Sequence, residues 1–110
     1  LHGEMVAIQY AHKMLNSFSL RKPGKAYHLY TSCEPCAMWL GGTFWSGVPK
    51  LVCAATNDDA EAIGLNEGPV FPQSYKAFDD SGVKVARNIM QKEGAFVLQK
   101  YGQEGLIYNA

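Results

Sequence analysis

The sequence predicts an α/β layer architecture with at least partly parallel strands. Three observations carry the prediction. Apolar residues recur with helical rhythm from Glu4 to Phe18, at Ala7, Ile8, Ala11, Met14, Leu15 and Phe18. Two short apolar runs, Ala26 to Tyr30 and Leu51 to Ala55, read as strands. Between them lies a segment that opens at Pro35 and reads as a helix. A third strand, Val83-Lys84-Val85-Ala86, alternates as a strand should and also follows helical turns. Strands separated by helices form a sheet covered by those helices.

The first helix is ended by the polar turn Arg21-Lys22-Pro23-Gly24-Lys25. After the first strand, Pro35 suits the first turn of a helix, where its missing N–H costs nothing, and the helix runs to about Phe44. Gly41 and Gly42 inside it cost about 1 kcal/mol each against Ala, which predicts close packing on a neighbour. Gly47-Val48-Pro49 breaks the helix before the second strand. Asn57 to Glu67, rich in acidic and small residues, reads as a short helix or ordered loop. Gln73 to Asp79 reads as a helical turn or two, closed by Asp80-Ser81-Gly82. A last helix is expected over Gln91 to Tyr101, interrupted at Gly94, before the tail Ile107-Tyr108-Asn109-Ala110. No repeat, low-complexity stretch or linker divides the chain, so residues 1–110 read as one domain.

Composition narrows the classes of function. Apolar residues make up 47% and charged residues 18%, which supports a globular core and argues against disorder. A formal net charge of zero speaks against a nucleic-acid partner, because affinity there comes largely from Lys and Arg neutralising phosphates. Three cysteines cannot form a complete disulfide framework, so a reducing, cytoplasmic setting is expected. No apolar run approaches the ~20 residues that span a bilayer, so no membrane role is expected. The chain starts at Leu1 with a His second, and a ligand at a frayed end is poorly held. The natural protein is therefore expected to extend further N-terminally.

Two fragments carry chemistry: His2-Gly3-Glu4, and Thr31-Ser32-Cys33-Glu34-Pro35-Cys36-Ala37-Met38-Trp39. Cys36 falls at a helix start, where free N–H groups and the positive dipole end suit a metal-binding sulfur. His-x-Glu followed by Pro-Cys-x-x-Cys is the signature of zinc nucleobase deaminases. In that chemistry one His and two Cys hold Zn²⁺, which brings the pKa of its bound water to about 7. The Glu is not a ligand; it shuttles protons to the ring nitrogen and the leaving ammonia. The expected metal ligands are thus His2 and Cys36, with Glu4 as the catalytic acid and base. The second cysteine of the motif falls at residue 39, which is Trp, and an indole has no lone pair to give a metal. Cys33 stands as the substitute ligand, although it precedes the helix while residue 39 lies one turn inside it.

With both fragments placed, the chain resembles the cytidine and deoxycytidylate deaminase superfamily. Thr31 to Cys36, Trp45 to Pro49 and Asn57 to Gly68 are similar to the bacterial guanine deaminase branch. The resemblance covers His2 to roughly Gly68. It implies a three-layer α/β/α sandwich on a five-stranded sheet, whose first two strands precede the His-x-Glu helix and are absent from this sequence. It also implies a zinc-dependent hydrolase converting guanine to xanthine and ammonia. On that resemblance Trp45 stacks on the purine, and Glu67 contacts the base and helps move protons. Tyr108 touches substrate from a tail exchanged between the subunits of a homodimer. Other members act on cytosine, on a triazine or pterin, or on tRNA adenosine. Trp39 speaks for one more reading, a deaminase-fold domain that has lost its zinc. Cys53, His12 and His28 are expected to have structural roles only.

Overall fold

The structure is a computed structural model and describes residues 2–105 and 107. The chain runs α1 (Gly3–Leu15), β1 (Arg21–Lys22), β2 (Lys25–Ala26), β3 (His28–Cys33), α2 (Ala37–Ser46), β4 (Lys50–Ala55), α3 (Asn57–Ala62), α4 (Pro72–Asp80), β5 (Lys84–Ala86) and α5 (Gln91–Glu104). The main sheet has the order β3-β4-β5 and both pairings are parallel.

The expected elements form, with edges moved for identifiable reasons. α1 stops at Leu15 rather than Phe18, because Asn16 takes the left-handed conformation at φ 49° and its N–H closes the last turn onto His12 and Lys13. The Arg21 to Lys25 turn is a small antiparallel ribbon, Arg21 opposite Ala26 and Lys22 opposite Lys25, turning at Gly24 with φ 74°. Ala26 is spent in that ribbon. The first long strand is therefore His28–Cys33 and not Ala26 to Tyr30, with its extent set by the pairing from His28↔Lys50 to Cys33↔Ala55. The signature helix starts at Ala37, two residues later than expected; Cys36 is its N-cap, and Pro35 precedes the helix. α5 runs through Gly94 unbroken to Glu104.

A core of Leu40, Leu51, Cys53, Phe78 and Val83 is buried between one face of the sheet and helices α2 and α4. Phe44, Tyr75 and Val85 pack at its margin. The opposite face carries α5. A Cβ built at Gly94 would lie 2.9 Å from both the Ala55 nitrogen and the Ser32 oxygen and 3.1 Å from Ala54 Cβ, so only glycine lets α5 sit this close to the strands. Helices on both faces make the three-layer α/β/α sandwich that the resemblance implied. α1 rests on α2 through Met5, whose sulfur occupies the space a Cβ at Gly42 would need. Gly41 has no such neighbour, so only one of the two glycines marks close packing. Among the described residues β3 has β4 as its only strand partner, and it is therefore an edge of this sheet. Among the described residues three strands of the implied five-stranded sheet are present.

Candidate active site

Parallel strands bring α1 and the start of α2 together at the end of β3. His2 is the N-cap of α1 and Cys36 the N-cap of α2, and Cys36 Sγ lies 3.5 Å from His2 Nδ1. Glu4, in the first turn of α1, accepts a hydrogen bond from the Thr31 hydroxyl of β3, Oγ1 to Oε1 2.6 Å. The motif spacing gives no sign of Thr31; the link exists because β3 runs beside the first turn of α1.

Glu67 enters from the loop after α3. Its backbone carbonyl accepts from the Ala37 N–H at 2.8 Å, which ties the loop to the first turn of α2. Gly68 follows at φ 75°, with space for a Cβ only 3.1 Å from Ala37 Cβ, so a glycine is required for this approach. Glu67 is 9% exposed, and burial raises its carboxyl pKa. The charges of Glu61, Glu4 and Glu34 add to the rise, in that order. His2, Cys36, Met38, Asn66, Glu67 and Gly68 line one open pocket of about 320 Å³. Asn66 and Met38 carried no signal beyond standing beside motif residues. Asn66 Oδ1 accepts from the Gly68 N–H at 3.0 Å and so helps shape the loop.

Residue 39 decides the metal question. Trp39 is 1% exposed, and its indole Nε1–H donates to His2 Nδ1 at 2.7 Å, the two rings meeting edge-on at 5.9 Å between centroids. Cys33 does not take the missing ligand's place. Its thiol is directed to the Thr56 carbonyl at 3.7 Å, and burial, with the Glu67 and Glu34 carboxylates, pushes its pKa up to about 12. Among the described residues no group of three or more His, Cys, Asp or Glu side chains could hold a metal ion. A catalytic zinc takes three protein ligands. His2 and Cys36 supply two, and the lone pair of His2 Nδ1 already accepts a proton donor. The described residues therefore do not fit the zinc that the resemblance implied.

Trp45 stands apart from this pocket. It lies in the last turn of α2, is 80% exposed, and packs edge-on against Phe44 at 5.1 Å. Nine residues of helix put it roughly 14 Å along the axis from Cys36. Tyr108 lies outside the described residues. His12 bonds the Ser46 carbonyl at 3.3 Å, linking α1 to the end of α2, and Cys53 is a core residue. A larger cavity, about 410 Å³, opens at the ends of the three parallel strands. Its buried acid, Glu34, accepts from the Tyr75 hydroxyl, from the Asn57 N–H at 3.4 Å and from Arg87 at 3.4 Å. Arg87 also lies over the Tyr75 ring at 4.8 Å. These bonds clamp the ends of β3, α4 and β5 together.

No family model matches the chain. A guanine deaminase of Bacillus subtilis is 33% identical over 79 residues, which are 72% of this chain and 48% of that protein. A solved structure of guanine deaminase from Nitrosomonas europaea superposes with a TM-score of 0.87 at 36% identity, over 93% of this chain and 57% of that one. A crystal structure in complex with 8-azaguanine gives a TM-score of 0.88 at 37% identity, over 93% of this chain and 57% of that one. Curated relatives also include a probable cytosine deaminase and a tRNA-specific adenosine deaminase. Relatives among guanine, cytosine and tRNA adenosine deaminases, and the superposition on solved guanine deaminase, are consistent with the cytidine deaminase-like superfamily. Within it, the likeness is to guanine deaminases. The chain spans about half the length of the guanine deaminase from Bacillus subtilis that it matches.

Proposed function

We propose that this chain carries the base site of a hydrolytic deaminase acting on a purine-type base, guanine first. The observation that carries the reading is the convergence of His2, Cys36 and Glu67 on one pocket, from chain positions as far apart as 2 and 67. Purine analogues bound by a structural neighbour and the guanine deaminase relative support guanine over cytosine. Neutral net charge weighs against a tRNA substrate.

The reaction adds water across C2 and N3 of guanine. The water oxygen bonds to C2, one proton goes to N3, and the C2–amine bond breaks as the amine takes a second proton and leaves as ammonia. Glu4, held by Thr31, serves the water and the leaving amine. Glu67 keeps its proton to higher pH than an exposed glutamate and offers it to the base. In the superfamily a zinc ion activates the water; His2 and Cys36 leave its set of three protein ligands short by one. Trp45 reaches a base only across a subunit boundary, which a homodimer with an exchanged tail, Tyr108 included, would supply. No helix among the described residues is long and apolar enough to cross a membrane, and we place the protein in the cytoplasm as a further proposal.

Trp39 favours a second reading, a domain that binds the base without turning it over. Incubating the full protein with guanine and following xanthine and ammonia together separates the two. Equal molar formation of both products supports deamination. Saturable binding of 8-azaguanine without product selects the second reading, and neither binding nor product overturns both.

A further inference from the structure

The distance between His2 and Cys36 carries information of its own. Two ligands of one tetrahedral zinc, at ordinary Zn–N and Zn–S lengths, stand roughly 3.6 Å apart. His2 Nδ1 and Cys36 Sγ are 3.5 Å apart. The pair keeps the spacing of a metal site, yet the nitrogen accepts a 2.7 Å hydrogen bond from the Trp39 indole. That bond fixes the ring as the tautomer with its proton on Nε2 and points the Nδ1 lone pair at the indole N–H. Trp39 is one turn into α2 from Cys36, on the side that faces His2, and it is almost wholly buried. Its indole therefore fills the place of the missing ligand and also takes the electron pair a metal would use.

We propose that Trp39 closes the metal position of this domain: its N–H stands in for the metal at His2 Nδ1, and the native chain holds no zinc there. His2 and Cys36 remain in place because the indole holds the imidazole, not because a cation does. One exchange reopens the site, since Cys at residue 39 would supply the second thiolate of the motif and free the lone pair at once. The inference takes the place of the metal from the deaminase reading of the pocket, and it does not depend on which base the pocket accepts.

The test is zinc content after loading and dialysis, in the full chain, for the native protein, Trp39→Cys and Trp39→His. We expect fewer than about 0.1 zinc per native chain and close to one in each folded variant, a change of about tenfold. Cobalt titration should give a thiolate charge-transfer band in Trp39→Cys and none in the native chain. Near-stoichiometric zinc in the native chain overturns the proposal, as do folded variants that stay empty. Exchange of a buried Trp for Cys leaves a cavity that threatens folding. The native chain is therefore tested alone as well: the Trp39 indole proton resonance should be unmoved by added zinc, and a zinc-dependent shift or loss of that resonance overturns the proposal. Failure to bind 8-azaguanine in a chain that is also zinc-free removes the base reading and leaves the capping by Trp39 standing.

Discussion

Glu67 shows how one residue ties stability to function. Its carboxyl is buried and lies within the fields of Glu61, Glu4 and Glu34, so its folded pKa exceeds the ordinary value of 4.5. A raised carboxyl binds its proton more tightly in the folded state than in the unfolded one. Its contribution to stability is therefore full below the unfolded pKa and is lost as pH rises through the folded pKa. Glu67→Gln removes that loss. Urea melts from about pH 4 to 7 should show stability of the native chain falling relative to the variant across the window. Parallel curves would contradict the assignment. At this scale the sequence was informative where chemistry and motif coincide: His2, Glu4 and Cys36 were legible, His2 and Cys36 lie side by side, and Glu4 bonds Thr31 of β3. Thr31 was not legible, because its bond to Glu4 depends on β3 lying beside α1. Cys33 stood as a substitute ligand by its Cys-x-x-Cys spacing, but as the last residue of β3 it directs its thiol to the Thr56 carbonyl.

Two glycines separate propensity from packing at the scale of the element. A Gly-to-Ala exchange inside a helix ordinarily stabilises by up to about 1 kcal/mol. Gly41→Ala should follow that rule, since nothing lies within 4 Å of its built Cβ. Gly94→Ala should reverse it. The added methyl meets backbone of both β3 and β4 at 2.9 Å, so α5 must move off the sheet, at a cost of roughly 1–3 kcal/mol. Thermal melts of the two variants should shift in opposite directions; a Gly94→Ala chain more stable than native would contradict the packing described. Propensity alone placed a break at Gly94, and the close approach of α5 to the sheet is the reason the residue is there. The helix boundary at Cys36 was similarly hidden. Pro35 is as acceptable just before a helix as in its first turn, and only the loop carrying Glu67, bonded to Ala37, fixes the start.

The whole molecule is a parallel sheet with helices on both faces, and its order follows from local signals: short apolar runs, helical rhythm and glycine-bearing turns. Register and layer assignment needed the structure, because they depend on which helix covers which face. The candidate site sits where β3, α1, α2 and the loop after α3 meet, so any change in the packing of those four pieces changes the pocket. His2, Cys36 and Glu67 meet at one pocket while Trp39 bonds His2, and on the function proposed above this is a base site whose metal position is capped. Calorimetric titration of 8-azaguanine into the native chain and into Glu67→Gln, without added metal, tests this most directly. Saturable binding to the native chain is expected, with binding at least tenfold weaker in the variant, a difference of about 1.4 kcal/mol or more. Absence of binding to the native chain, or equal binding by both, would contradict it.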